Sequence, residues 1–218
     1  MLSTFVVNSI GDQPAVNPTL GADTAAGTIT LRSAIEAANA HANDAAGPDR
    51  IEFNIPGTGE QTISPHTALP AVTDPVVIDG YTQPGAKANT QAVGGDAVLL
   101  IDIDNPYALP NGLVLQAGGS TVRGLIVNRF NNSAVLLAQQ GGNTIAGNYF
   151  GLAASGTYAY GDRVGLTITA GSNGNTIGGT DPASRNWFGG NLVALRIVAS
   201  SNNVVQGNYF GLFNTGMG

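Results

Sequence analysis

Asp79, Asp102, Asp104 and Arg123 are the residues of this 218-residue chain best spaced to do chemistry together. Clustered carboxylates serve as acid and base, or hold calcium, and a nearby guanidinium steadies developing negative charge. The interval from Asp79 to Asp102 nearly equals that from Asp102 to Arg123. Intervals this similar place the groups on one face of a repeat whose circuits are of that length. Asp102 and Asp104 alternate through Ile103, so both point the same way along a strand. The competing reading is strand-end solvation, with Asp79-Gly80 an ordinary turn. It is preferred here, because short-range carboxylates on a repeat carry little specificity.

Other chemistry is thinner. His41 and His66 are isolated and are the only two histidines, and there is no cysteine, so thiolate chemistry, disulfides and cysteine zinc sites are excluded. A calcium-binding glycine-rich nonapeptide repeat is absent. No metal ion or cofactor is expected. Ala153–Arg163 reads as a loop thrown out between repeats, and its Tyr158, Tyr160, Asp162 and Arg163 are the candidate ligand-binding residues. Tyr149, Trp187 and Tyr209 could stack on sugar rings if exposed, although aromatic core packing accounts equally well for their Phe neighbours.

These residues need a scaffold, and the sequence supplies a repeat. Gly112–Gly124, Ala134–Gly147, Gly165–Gly178 and Ala194–Gly207 each run small residue, apolar strand, Gly/Ser/Asn turn, second short strand. Their starts are unevenly spaced, which marks a constant core with insertions at one corner. Gly147-Asn-Tyr-Phe-Gly-Leu152 recurs as Gly207-Asn-Tyr-Phe-Gly-Leu212, and Arg185-Asn-Trp-Phe-Gly-Gly190 stands at the comparable place. Such short strands cannot bury an apolar face alone, but stacked as parallel ladders they line up Leu113, Val135, Leu166 and Leu195 inside. Asn143, Asn175 and Asn203 fall at matching turn positions, where amides can bond one to the next; solvent-facing turn residues are the alternative. Earlier strands are expected at Ile51–Ile55, Gln61–Ile63, Val76–Gly80 and Val98–Asp104, with a loop at Tyr81–Asn89.

One segment has helical spacing. Leu31, Ala34, Ile35, Ala38 and Ala42 mark an amphipathic helix after an N-cap at Thr30 and before Gly47-Pro48. Residues 28–46 are expected to cap the open apolar end of the stack, with Ser3–Asn8 pairing onto the first circuit. The expected architecture is all-β: a right-handed parallel β-helix with an N-terminal amphipathic capping helix. It forms one domain over 1–218, with strand and cap in 1–50 and six or seven coils in 51–218. Leu212–Gly218 follows the last motif with no capping helix, so the final coil is expected to be uncapped, either cut from a longer protein or stacked on another copy.

Ile29-Thr-Leu-Arg-Ser-Ala-Ile-Glu-Ala-Ala-Asn39 resembles the N-terminal motif of CSLREA-type bacterial surface proteins, related in layout to polymorphic outer-membrane proteins and other pectin-lyase-like β-helices. Phe5–Gly11, Asp49–Gly57, Ile78–Gly85 and Gly112–Phe130 extend the likeness over most of the chain. Ile29 replaces the motif's Cys and Ser33 its frequent Glu, so no disulfide can form at the cap. The resemblance implies a β-helix and placement outside the cell, and no defined activity.

Composition agrees with many short strands and tight turns: 43% hydrophobic, only 10% charged, and 31 glycines. With a net charge of −6 and a single lysine, Lys87, the chain has no basic patch for nucleic acid. No apolar run has the length of a membrane-spanning segment. Met1–Asn8 has neither the basic nor the long apolar region of a signal peptide, so an exported form is expected to have lost its signal. The expected function is non-catalytic display, adhesion or self-assembly at the bacterial surface or outside the cell. Carbohydrate, another surface protein, or a second copy at the final coil are the expected partners. The alternative is a polysaccharide-acting lyase, hydrolase or epimerase using the carboxylates.

Overall fold

A computed structural model describes residues 3–169 and 171–211. Its chain runs β1 (Thr4–Val7), α1 (Leu31–Ala40), β2 (Asp49–Phe53), β3 (Gln61–Ile63), β4 (Val76–Asp79), β5 (Ile101–Asp104) and β6 (Asn111–Leu115). Then come β7 (Thr121–Arg123), β8 (Leu125–Asn128), β9 (Ser133–Leu137), β10 (Thr144–Ala146), β11 (Tyr149–Phe150) and β12 (Val164–Ile168). It continues with β13 (Thr176–Gly178), β14 (Trp187–Phe188), β15 (Val193–Ile197), β16 (Val204–Gln206) and β17 (Tyr209–Phe210). The strands form three sheets, ordered β1-β2-β4-β7-β10-β13-β16, β3-β5-β8-β11-β14-β17 and β6-β9-β12-β15. Every named strand pair is parallel. From β4 onward the chain visits the seven-, six- and four-stranded sheets in fixed rotation, one strand in each per circuit.

The repeat dictates this. Leu113, Val135, Leu166 and Leu195 are register partners across β6, β9, β12 and β15, as expected from the alignment. Ile78, Val122, Ile145 and Ile177 form the matching column on the seven-stranded sheet. Val127, Phe150 and Phe188 form it on the six-stranded sheet. All three columns meet in one buried cluster, with Leu195 partly buried at its edge. Phe150 stacks on Phe188 and Phe188 on Phe210, with centroids 4.8 and 4.9 Å apart. Burying a large apolar side chain contributes about 1.5–3 kcal/mol, so the columns are the main favourable term.

Two amide ladders fix the corners. Asn143 donates from its backbone N and its Nδ2 to Asn175 Oδ1, both at 3.0 Å. Asn175 repeats this onto Asn203 Oδ1 at 3.0 and 2.8 Å. The second ladder, Asn148–Asn186–Asn208, has the same pattern, with 3.0 and 3.1 Å from Asn148 to Asn186 Oδ1 and 3.2 and 2.9 Å from Asn186 to Asn208 Oδ1. Each amide satisfies backbone groups that a tight corner leaves without strand partners.

α1 lies on β1 and β2, with Leu31, Ala34, Ile35 and Ala38 in the main core. Thr30 is its N-cap, and Ser33 completes a capping box: Thr30 Oγ1 accepts from Ser33 N at 3.0 Å while Ser33 Oγ accepts from Thr30 N at 2.9 Å. The helix is shorter than expected. It stops at Ala40, leaving out Ala42, because His41 turns extended and its Nδ1 engages Asp49 Oδ2 at 2.7 Å. Asn43 then ties down the following turn, bonding the Pro75 carbonyl and the Asp49 amide. Other boundaries also shift: β4 ends at Asp79, where a 3-10 turn begins at Gly80, and Val98 bridges Lys87 instead of joining β5. Leu212–Gly218, where the bare end was expected, lies outside the described residues.

Candidate functional site

The structure divides the four residues proposed to share one face. Asp79 and Arg123 are register partners on β4 and β7 of the seven-stranded sheet, whereas Asp102 and Asp104 lie on β5 of the six-stranded sheet. The expectation of a single face is therefore corrected.

The first pair is a structural knot. Asp79 Oδ2 accepts from Arg123 Nη2 at 2.6 Å and from Arg50 Nη2 at 3.4 Å, and Oδ1 accepts from the Tyr81 amide at 3.2 Å. The carboxylate is 3% exposed. Tyr81 donates its hydroxyl to the Gly147 carbonyl at 2.8 Å, and burial holds that phenol well above its ordinary pKa. Two cations, a backbone amide and burial tie Asp79 into the fold.

The second pair joins the loop residues nominated from sequence. Asp102 and Asp104 lie on the face opposite Ile101 and Ile103, yet both are buried. Arg129 grips Asp104 with two bonds, Nε at 2.5 Å and Nη2 at 2.8 Å. Its guanidinium carbon lies 5.2 Å from the Tyr160 ring centroid, and its amide donates to the Tyr160 carbonyl at 3.3 Å. Asp162, also buried, accepts from the Phe130 amide at 2.8 Å, and burial raises its carboxyl well above the usual range. It pins the corner and is not an open ligand group. Tyr158, Tyr160 and Arg163 are exposed. Asp104, Arg129, Tyr160 and Asp162 thus meet at one corner, with Asp102 beside Asp104 on the strand.

Asp102 is held at a pKa of about 8, first by burial, then by the Asp104 charge, then by the charge of Glu60 and a hydrogen bond with its carboxyl. An unfolded aspartate titrates near ~3.9. Between these values the folded chain binds the extra proton, so stability is expected to fall as pH rises from about 4 to about 8 and to level off above, by on the order of a few kcal/mol. Asp102→Asn should flatten that slope, read by urea unfolding across the same range; an unchanged slope in the variant contradicts this assignment.

The 153–163 segment is a tight hairpin. Leu152 bridges Ala159, Ala153 N donates to the Tyr158 carbonyl at 2.9 Å, and Tyr160 N donates to the Gly151 carbonyl at 2.8 Å. Ala159 approaches Gly190, where an added Cβ would lie 2.5 Å from the Ala159 Cβ. Gly190 also has φ +71°, which favours glycine. Gly190→Ala is expected to cost about 1–3 kcal/mol and to lift the hairpin, seen as a lower thermal midpoint and faster amide exchange at Tyr160. Wild-type exchange at Tyr160 in this variant would contradict the packing.

Tyr149 and Trp187 are 1% and 0% exposed, so neither can stack on a sugar. They share an outward column with Asp102 and Ile126, and Leu99 and Leu152 cover it. Arg185 fastens the covering segment, donating to the carbonyls of Gln91, Ala92 and Gly94 at 2.8–3.1 Å, and its guanidinium lies 4.4 Å from the Tyr209 centroid. Two surface hollows, of about 150 and 100 Å³, are lined by residues of the 3–41 segment and by none of the candidate carboxylates. Among the described residues no group of three or more His, Asp or Glu is arranged to hold a metal ion, and no helix is long and apolar enough to cross a membrane.

Glu60, Asn128 and Arg129 were not among the residues nominated from sequence. The available signal was the repetition of Asp102-Ile-Asp104 one circuit later as Ile126-Val-Asn128, with Arg129 next in the chain. The sequence matches no protein-family model and no curated protein.

Proposed function

We propose that the chain is a right-handed parallel β-helix serving as a non-catalytic body for display and adhesion at the bacterial surface or outside the cell. Strict rotation among three parallel sheets supports the winding, and parallel crossovers are almost always right-handed. The CSLREA-like motif on α1 supports the exported placement. One observation carries the non-catalytic reading: the sequence-nominated carboxylates are engaged within the fold. Asp79 is held by Arg50 and Arg123, Asp104 by Arg129 and Asp162 by a backbone amide, while Asp102 is buried. Acids buried or held in this way serve the scaffold, and the body they stabilise presents its exposed groups on loops.

Self-assembly belongs to the same reading. The last described strands present exposed Val193, Ile197, Val204, Val205 and Phe210 along their outer edge. Parallel edges of this kind invite pairing. Light scattering over a concentration series should show a reversible increase in mass; a constant mass equal to that of one chain removes this arm.

The enzyme reading has one observation in its favour, the Glu60–Asp102 contact, since a carboxyl kept protonated near neutrality suits a general acid. The test is release of new chain ends from neutral and acidic polysaccharides. No turnover is expected. Turnover that disappears in Asp102→Asn would replace the scaffold reading with a polysaccharide-acting enzyme.

A further inference from the structure

Turns 105–110, 129–132 and 160–163 stack on one another at the corner between the six- and four-stranded sheets. Asn105 N donates to the Asn128 carbonyl at 3.2 Å and Asn105 Nδ2 to the Arg129 carbonyl at 3.1 Å. The Arg129 amide continues the stack to the Tyr160 carbonyl. Each level projects an aromatic or a guanidinium. Tyr107 is 51% exposed and meets His66 edge-on, with centroids 4.9 Å apart. Tyr160 is 47% exposed against Arg129, and Tyr158, two residues earlier in the hairpin, is 69% exposed. Arg163 is exposed and its side chain has no hydrogen bond or ion pair among the described residues.

We infer that this corner strip, Tyr107, Arg129, Tyr158, Tyr160 and Arg163, binds an extended acidic glycan chain. The inference rests on the non-catalytic adhesion reading and names its ligand class. Strands stack about 4.8 Å apart, so the turns of Tyr107 and Tyr160, two circuits apart, are about 10 Å apart along the stack. That sets exposed aromatic rings at two levels of one stacked corner, in place before binding. Tyrosines supply large contact area at small entropic cost. Arg129 is neutralised by Asp104, which leaves Arg163 as the cation that complements a carboxylate or sulfate on the chain. In a protein of net charge −6, an exposed arginine on the same turn as Tyr160 selects for an anionic substituent at that point.

Calorimetric titration with alginate oligomers, dextran sulfate oligomers and a neutral β-glucan tests this on the whole chain. An acidic oligomer is expected to bind, more weakly as salt rises. The alginate and sulfate arms distinguish which anionic group is taken. Tyr107→Ala and Tyr160→Ala should each weaken binding by about tenfold, and Arg163→Ala should erase the preference for acidic over neutral glycan. All three side chains are exposed, so an unchanged thermal midpoint certifies the fold. Binding by none of the three glycans, or binding indifferent to all three substitutions, overturns the proposal. Neutral glycan binding as tightly as the acidic ones overturns its acidic character. Cleavage of the bound glycan would sink the non-catalytic reading and leave the strip standing, whereas silence in both binding and turnover sinks the strip alone.

Discussion

Replacing Arg32 with methionine is expected to lower the unfolding free energy by about 3–5 kcal/mol. Arg32 sits in the first turn of α1 and is 8% exposed. Its Nε and Nη2 bind the Asp12 carboxylate at 2.9 and 3.1 Å, and its other bonds reach the carbonyls of Thr67 and Ala68 at 2.8 and 3.0 Å. One guanidinium therefore joins three separate segments over the end of the stack. Methionine keeps much of the volume but leaves a largely buried carboxylate and two carbonyls without their partner. Urea unfolding measures the loss. Arg32→Met combined with Asp12→Asn should cost clearly less than the two single changes added, because the uncompensated charge is then gone. Simple additivity would mean the pair is not coupled.

Asn148→Ala is expected to cost about 3–5 kcal/mol, against about 1 kcal/mol for Asn203→Ala. Asn148 is fully buried. Its Oδ1 accepts from the Leu125 amide at 3.0 Å, and its Nδ2 donates to the Val122 carbonyl at 3.0 Å as well as to Asn186. Alanine strands buried backbone groups on strands of two sheets and leaves a cavity. Asn203 stands at the partly exposed end of its ladder, where water replaces the lost bonds. Chemical denaturation of both variants gives the comparison, and equal losses would mean that position in the ladder does not matter.

The repeat is legible because it is written four times. Aligned strands put Leu113, Val135, Leu166 and Leu195 in one column, and Asn143, Asn175 and Asn203 in another, from the residue pattern alone, and the register agrees. Thr30 declares the helix start through its own local chemistry. The helix end is set from a distance, by His41 on Asp49 and Asn43 on Asp74 and Pro75, so local periodicity runs past it. The carboxylate face fails for a similar reason. The stretch from Asp79 to Asp102 carries the chain only from one sheet to the next, because the segment after Gly80 is spent covering the body. The circuit mate of Asp79 is Arg123, almost twice as far along the chain. The same covering segment buries Trp187 and Tyr149 on a sheet face that would otherwise be wet, and Arg185 fastens it from a distant part of the sequence. Bonds across such separations leave no periodic trace. The candidate loop is visible as an insertion, but its link to Asp104 through Arg129 requires the register.

The β-helical winding is the claim on which the rest depends, and the natural absence of cysteine makes it directly testable. Thr144 and Thr176 are register partners on adjacent parallel strands although far apart in sequence, whereas Thr121 and Thr176 are separated by β10. Neighbouring strands lie about 4.8 Å apart, within the Cα separation a disulfide spans, and next-nearest strands lie about 10 Å apart, beyond it. Mild oxidation of the Thr144→Cys, Thr176→Cys double variant should close an intramolecular disulfide nearly completely, while Thr121→Cys with Thr176→Cys stays reduced. Failure of the first pair to close, or equal closure of both, would contradict the stacked register and the β-helix built on it.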